Sequence, residues 1–331
     1  MDENTTEFIP AEFVFADHRE AMLRHFIYVV LGIALTAANA VLLAAILRYE
    51  AMRDMKEYLI IGGLALADLL SGGLANIIAG IFRAYITVYG YADYPVSRRL
   101  CNFLPQLLLW KFADVPQSLM LLAQSIDRLL LVTIPITYMS FSTGYGWIMV
   151  GTVYAIATIQ AAYFFFPNVI PEESGIPDKK LVCFSSMAYS SKQGHAARKS
   201  VRLIAALTSI AVYAAKKLTR SIGVSCLFTF ILYGVPQIMS IAGMWVEALA
   251  AAYTTFNSYV WIIACVNPLL NVFIYSLRQR EVRMAINGLF KGKSMPPSID
   301  MWHQMTASQT QPTTKASNAS TKGGTTAVHH T

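Results

Sequence analysis

Between Cys101 and Tyr138 the chain reads CNFLPQLLLWKFADVPQSLMLLAQSIDRLLLVTIPITY, apolar for long enough to cross a bilayer yet ionic near both ends. Lys111 and Asp114 lie three residues apart in its outer third, and Asp127-Arg128 lie near the far end. A charge at bilayer depth costs roughly 2.5–3.5 kcal/mol on insertion scales, so such groups face a bundle interior, pair, or form a working site. A helix with an ionic pair toward each end therefore points to a bundle that connects two sides of a membrane. Composition agrees: of 331 residues 55% are hydrophobic and 14% charged, where soluble domains carry about 25% charge. Mean hydropathy is +0.47.

The net charge of +7 is scattered rather than clustered, which argues against a nucleic-acid surface. The six histidines show no metal-ligand spacing, and there is no phosphate-binding loop, dinucleotide turn or Gly-x-Ser-x-Gly elbow. No cofactor and no enzymatic activity are expected. The first residues are acidic (Asp2, Glu3, Glu7, Glu12), where a cleavable signal begins basic. The first apolar span is thus expected to be its own membrane signal.

About 20 residues at roughly 1.5 Å each cross a hydrocarbon core of about 30 Å. Candidate spans are Phe26–Leu47, Tyr58–Phe82, Asn102–Val132, Trp147–Phe166 (ended by Pro167), Ile222–Trp245 and Phe256–Leu277. A further span, Val201–Ala215, is short: either buried polar turns complete it or part of it is missing. The segment Met1–His25 holds two basic residues against six acids, whereas Arg278, Arg280, Arg283, Lys291, Lys293, Lys315 and Lys322 follow the last span. The positive-inside rule then places the N-terminus outside and the C-terminus in the cytoplasm, which needs an odd number of spans and favours seven. The connection after span four, with Lys179, Lys180, Lys192, Arg198 and Lys199, runs against that bias. Asn4-Thr5-Thr6 is a glycosylation sequon on the proposed outer side, and Asn318-Ala-Ser320 falls inside.

The expected organisation is an extracellular segment 1–25, a seven-transmembrane helix bundle 26–277, an amphipathic juxtamembrane helix 278–293 and a disordered cytoplasmic tail 294–331. Within Ser276–Phe290, Val282, Ile286, Leu289 and Phe290 recur at helical spacing, suiting a short helix that lies along the membrane surface. The tail is rich in Ser, Thr, Gln and Gly; its hydroxyls are either phosphorylation sites or inert solvated groups.

Asn39 in span one, LALADLL with Asp68 in span two, Ser-Ile-Asp127-Arg128-Leu in span three, Pro236 in span six and Asn267-Pro-Leu-Leu-Asn271-Val-Phe-Ile-Tyr275 in span seven occur in that order. Together they resemble a rhodopsin-like (class A) G-protein-coupled receptor, and in flavour nematode chemosensory serpentine receptors. The resemblance covers about Phe26–Lys291. It implies that Arg128, held by Asp127 at rest, turns toward a heterotrimeric G protein on activation; an Arg beside an Asp is a charge pair whose partner can change. It also implies an activation network of Asn39, Asp68, Phe230, Pro236, Asn267, Asn271 and Tyr275, since buried polar groups demand partners.

The chain departs from the family pattern at Val272 (usually Pro), Gly234 (an aromatic), Tyr154 (Trp) and Gln117 (a small hydroxyl residue that helps hold sodium at Asp68), so sodium is not expected as a ligand. By the same resemblance Cys101 and Cys183, in an oxidising compartment, form a disulfide. Cys226 and Cys265 read as packed thiols. Trp110, Lys111, Asp114, Tyr253 and Trp261 fall at the depth where the family binds ligands. Lys111 and Asp114, at i and i+3, either neutralise each other with no ligand role or release one member to a ligand carboxylate or amine.

The expected function is a plasma-membrane chemosensory receptor for a small-molecule or peptide ligand, with the lipid bilayer and a G protein as partners and arrestin and kinases at the tail. A neuropeptide receptor of the same fold is the nearest alternative. A polytopic transporter or channel is a different class, disfavoured by the absence of an internal span repeat.

Overall fold

Apolar side chains on nearly every face drive helix α1 (His18–Arg48) into a bundle, and it begins two turns before the expected Phe26. Glu20 pairs with Arg24 one turn on, supporting that early start. The computed structural model describes residues 18–92, 94–96, 98–169, 179–180, 231–232, 235, 238–239 and 247–292. After the short helix α2 (Glu50–Arg53), the second span runs as α3 (Lys56–Asp68), a π-helical turn (Leu69–Leu74) and α4 (Ala75–Val88). It is longer at both ends than the expected Tyr58–Phe82.

The third span differs at its start. Asn102 closes a separate short helix, α5 (Arg98–Asn102), and α6 (Pro105–Thr133) begins afresh after extended Leu104. Proline at the first helical position needs no N–H partner and sets φ for the helix, so the chain restarts there. A five-residue helix, α7 (Pro135–Met139), leads to α8 (Thr143–Val169). Pro167 does not end α8, which runs two residues beyond it. The last span is α9 (Glu247–Arg278), a longer helix than Phe256–Leu277. Gln279, in extended conformation, separates it from α10 (Arg280–Lys291), which turns away by 93°. Gly292, at φ 62°, stops α10 with a left-handed cap that β-carbons disfavour. Strands β1 (Pro95–Val96) and β2 (Lys179–Lys180) pair antiparallel at the end of the bundle where α4 finishes and α6 begins.

Three apolar clusters hold the described helices together. One joins α1, α2, α3, α9 and α10 through Leu42, Met52, Ile61, Val272 and Val282. A second joins α3, α6 and α8 through Leu64, Met120 and Val153. The third joins α4, α5 and α6 through Ala79, Cys101 and Trp110. Helix α1 meets the second span almost backbone to backbone: a β-carbon on Gly73 would lie 2.5 Å from Thr36 Oγ1, and one on Gly80 would lie 2.9 Å from the His25 carbonyl. Small residues let membrane helices approach in this way. The opposite faces carry exposed apolar side chains such as Phe26, Ile33, Ile81 and Ile159, with Ile148 69% exposed. Such faces suit lipid rather than water.

Among the described residues, Arg19–Arg48, Lys56–Val88 and Thr143–Ala162 are long and apolar enough to cross a membrane. Helix α6 is diluted by Lys111, Asp114, Asp127 and Arg128, and α10 by Arg280, Glu281, Arg283 and Lys291. Val201–Ala215, most of Ile222–Trp245 and the segments 1–17 and 294–331 lie outside the described residues, as do Asn4, Cys183, Phe230 and Pro236.

Candidate functional site

The polar side chains of the bundle gather at three depths. At the Arg128 end, Asp127 is fully buried and accepts a 2.8 Å hydrogen bond from the Tyr138 hydroxyl on its Oδ1. Arg128 Nε stands 3.7 Å from Asp127 Oδ2, too far for a hydrogen bond but near enough for a charge pair. Burial, then the neighbouring Asp127 carboxylate, raises the Tyr138 pKa far above the usual phenol range, so Tyr138 stays an O–H donor. Lys56, at the start of α3, donates to the backbone carbonyls of Tyr138 and Phe141, the latter at 3.0 Å. Its ammonium also lies 4.0 Å from the centre of the Tyr138 ring. Gln124 Nε2 donates to the Tyr275 hydroxyl at 2.5 Å, linking α6 to α9, and Tyr58 donates to Glu281 at 3.1 Å, linking α3 to α10.

Midway along the bundle, Gln117 Nε2 donates to Asp68 Oδ1 at 2.7 Å. Asn39, Asp68, Asn271 and Tyr275 line one small cavity between α1, α3 and α9, with room for about one water molecule. Asn39 spends its amide N–H on the Leu35 carbonyl of its own helix, at 3.0 Å. The Oδ1 atoms of Asn39 and Asn267 are buried and accept no hydrogen bond from described residues. Asn267 is not among the residues lining the cavity. One oxygen of the one carboxylate lining that cavity is thus engaged by the Gln117 amide. Tyr154, in the place of the expected Trp, donates to the Gly63 carbonyl at 2.8 Å.

Toward the Cys101 end, the π-helical turn widens the second span and loosens its backbone pairing. Two side chains answer it. Trp110 Nε1 donates to the Ser71 carbonyl at 3.1 Å, and Asn76 Nδ2 donates to the Gly72 carbonyl at 2.8 Å and to the Cys265 thiol at 3.3 Å. The Arg83 guanidinium lies 5.3 Å from the Trp110 ring centre, a cation–π contact, and is 3% exposed. Lys111 Nζ reaches Asn102 Oδ1 at 2.8 Å. Asp114 is buried, and its backbone carbonyl accepts from Ser118 Oγ at 2.9 Å. Tyr253 and Trp261 lie on α9, on its half nearer the Cys101 end. Cys101 is buried and disulfide-bonded, and Cys265 is a buried free thiol.

Residues 38–215 match the model of one protein family, described as 7 transmembrane receptor (rhodopsin family). The chain belongs to this family. This rhodopsin-family receptor is accordingly a membrane protein and not an enzyme. No curated protein matches it. The matched segment contains Asn39, Asp68, Gln117, Asp127 and Arg128, and stops before the polar residues of α9.

The structure also brings in receptor residues that the sequence did not single out: Lys56, Tyr138, Asn76, Arg83 and Gln124. Asn76 and Gln124 carry the signal already used for Asp68, a polar side chain within an apolar span, whereas Arg83, one residue past the expected end of span two at Phe82, reads as a boundary charge. Lys56 sits among Arg53, Asp54 and Glu57 at a span boundary, where charge is ordinary.

Proposed function

We propose that this receptor is a plasma-membrane chemosensory receptor that turns binding of an extracellular ligand into activation of a heterotrimeric G protein. The observation carrying the reading is the pair Asp127 and Arg128. The carboxylate is buried and oriented by Tyr138, while Arg128 is held at 3.7 Å by charge alone. A guanidinium so held can exchange its partner for an acceptor on another protein at small cost.

The N-terminus is extracellular and the Arg128 end cytoplasmic, a placement supported by the basic residues that follow α9. The Cys101 disulfide closes onto Cys183. The ligand, a small molecule or peptide, occupies the Cys101 end near Lys111, Asp114, Tyr253 and Trp261. Trp110 shapes that site by its ring, since its N–H is engaged by Ser71. A ligand carboxylate displaces Asn102 from Lys111, or a ligand donor engages Asp114. Arrestin and kinases act on the tail.

The test is nucleotide exchange on purified G proteins of each class, driven by receptor in lipid nanodiscs against a panel of volatile and soluble small molecules and peptides. A stimulating compound should lose its effect in Lys111→Ala and Asp114→Ala at equal surface expression. Arg128→Ala should uncouple the response without abolishing ligand binding. Ligand-evoked current in protein-only liposomes, with no effect on nucleotide exchange, would replace the reading by a channel.

A further inference from the structure

We infer that Lys56 is a positioning residue for the coupling site: it clasps the loop helix α7 so that Tyr138 keeps Asp127 oriented toward Arg128. The inference rests on the proposal that Asp127 and Arg128 form that site.

A buried ammonium, with three N–H donors, needs acceptors to offset its lost hydration. Lys56, 8% exposed, finds them in one place. Its ammonium meets the carbonyl of Tyr138, in the last turn of α7, and that of Phe141, two residues past the end of that helix. It also lies over the ring of Tyr138 at 4.0 Å and that of Phe141 at 5.6 Å. The contact with Tyr138 is therefore double, to backbone and to ring, which fixes both where the residue sits and how its phenol is turned. The far edge of the same ring carries the hydroxyl that reaches Asp127 Oδ1 at 2.8 Å.

The lysine is itself pinned from behind. A β-carbon on Gly146 would lie 2.9 Å from the Lys56 carbonyl oxygen and 3.1 Å from its Cα, so α8 presses directly on the Lys56 backbone. Thr143 Oγ1 donates to the Asp54 carbonyl at 2.7 Å just beside it. The route from α8 to α3 to α7 to Asp127 is continuous, and every link is a named contact. A Met at 56 would fill much the same volume without the donors.

The test uses the full chain in lipid nanodiscs, as wild type, Lys56→Met, Lys56→Arg, Tyr138→Phe and the Lys56→Met/Tyr138→Phe double variant. Two quantities are read without ligand: deuterium exchange of the amides over 138–142, and nucleotide release from purified heterotrimers of each class. In Lys56→Met, exchange over 138–142 should quicken about tenfold while amides in the middle of α8 stay protected, the mark of a local opening. Ligand-free nucleotide release should rise about fivefold or more in Lys56→Met and in Tyr138→Phe, the lower end of ordinary coupling between sites. Lys56→Arg, which keeps the charge and stacks on the ring, should stay near wild type. The double variant should rise no further than the larger single, because both changes cut one path.

Unchanged deuterium exchange in Lys56→Met, or release that stays at or below the wild-type rate while Tyr138→Phe rises, overturns the inference. Additive effects in the double variant overturn it too. If Lys56→Met fails to fold, Gly146→Ala displaces the same backbone and is held to the same two readouts. Should no form of the receptor, wild type included, release nucleotide faster than empty discs, the coupling reading itself falls and this inference with it.

Discussion

Replacing Gln117 by Leu removes the amide that faces Asp68 and leaves the carboxylate where it was. A hydrogen bond to a charged group contributes about 1.5–3 kcal/mol, and the penalty of a buried group left unsatisfied is of the same order. With the Gln117–Asp68 contact at 2.7 Å and both residues buried, the expected loss at a pH where Asp68 is ionised is about 2–3 kcal/mol. In an Asp68→Asn background the same change breaks a neutral bond and should cost about 1 kcal/mol. The coupling between the two sites is then about 1–2 kcal/mol, within the range that neighbours in one network show. Thermal unfolding of purified receptor can be followed by the reaction of buried thiols, Cys265 among them, with a fluorogenic thiol reagent. Gln117→Leu should melt several degrees lower, at roughly 2–4 °C per kcal/mol. A melting point equal to wild type, or an equal decrement in the Asp68→Asn background, would falsify the assignment of Gln117 as the partner of a charged Asp68.

Two further expectations concern the Cys101 end and the topology. Trp110→Phe keeps a ring beside Arg83 but loses the donor to Ser71, and should destabilise by about 1 kcal/mol, the ordinary worth of a neutral hydrogen bond; unchanged thermal stability would mean that the Ser71 carbonyl is satisfied without it. Expressed in glycosylating cells, the receptor should carry sugar at Asn4 and none at Asn318, checked by glycosidase mobility shifts of Asn4→Gln and Asn318→Gln; sugar at Asn318 alone would reverse the orientation.

What could be read in advance followed from contrast. Asn39, Asp68 and Asn271 stand out because each is a polar residue in an apolar span, and all three line one cavity. Asp127 and Arg128 stand out for the same reason, and their separation is that of a charge pair. Asn267 stood out equally yet does not line that cavity: it sits one turn from Asn271 along α9.

Other features carry no such contrast. LLSGGL holds nothing that separates a π-helical turn from an α-helical one, since the wide turn is selected by partners on α6 and α4. Lys56 reads as a boundary charge until Tyr138, distant in sequence, is placed against it. The break before α6 does carry a local signal, Pro105 at a helix start, which the expected unbroken span from Asn102 passed over. Spacing alone offers Asp114 to Lys111, whereas Asn102 comes within its reach only through the fold of α5.

The wide turn at Leu69–Leu74 also fixes the phase of everything beyond it. Each residue advances a helix by about 100°, so a second span that shed its additional residue would rotate α4 by that angle against its neighbours. Arg83 would leave the Trp110 ring and swing toward hydrocarbon, where a cation costs roughly 2.5–3.5 kcal/mol. The arginine thus acts as a key in a slot, permitting one angular setting of the segment and penalising the next.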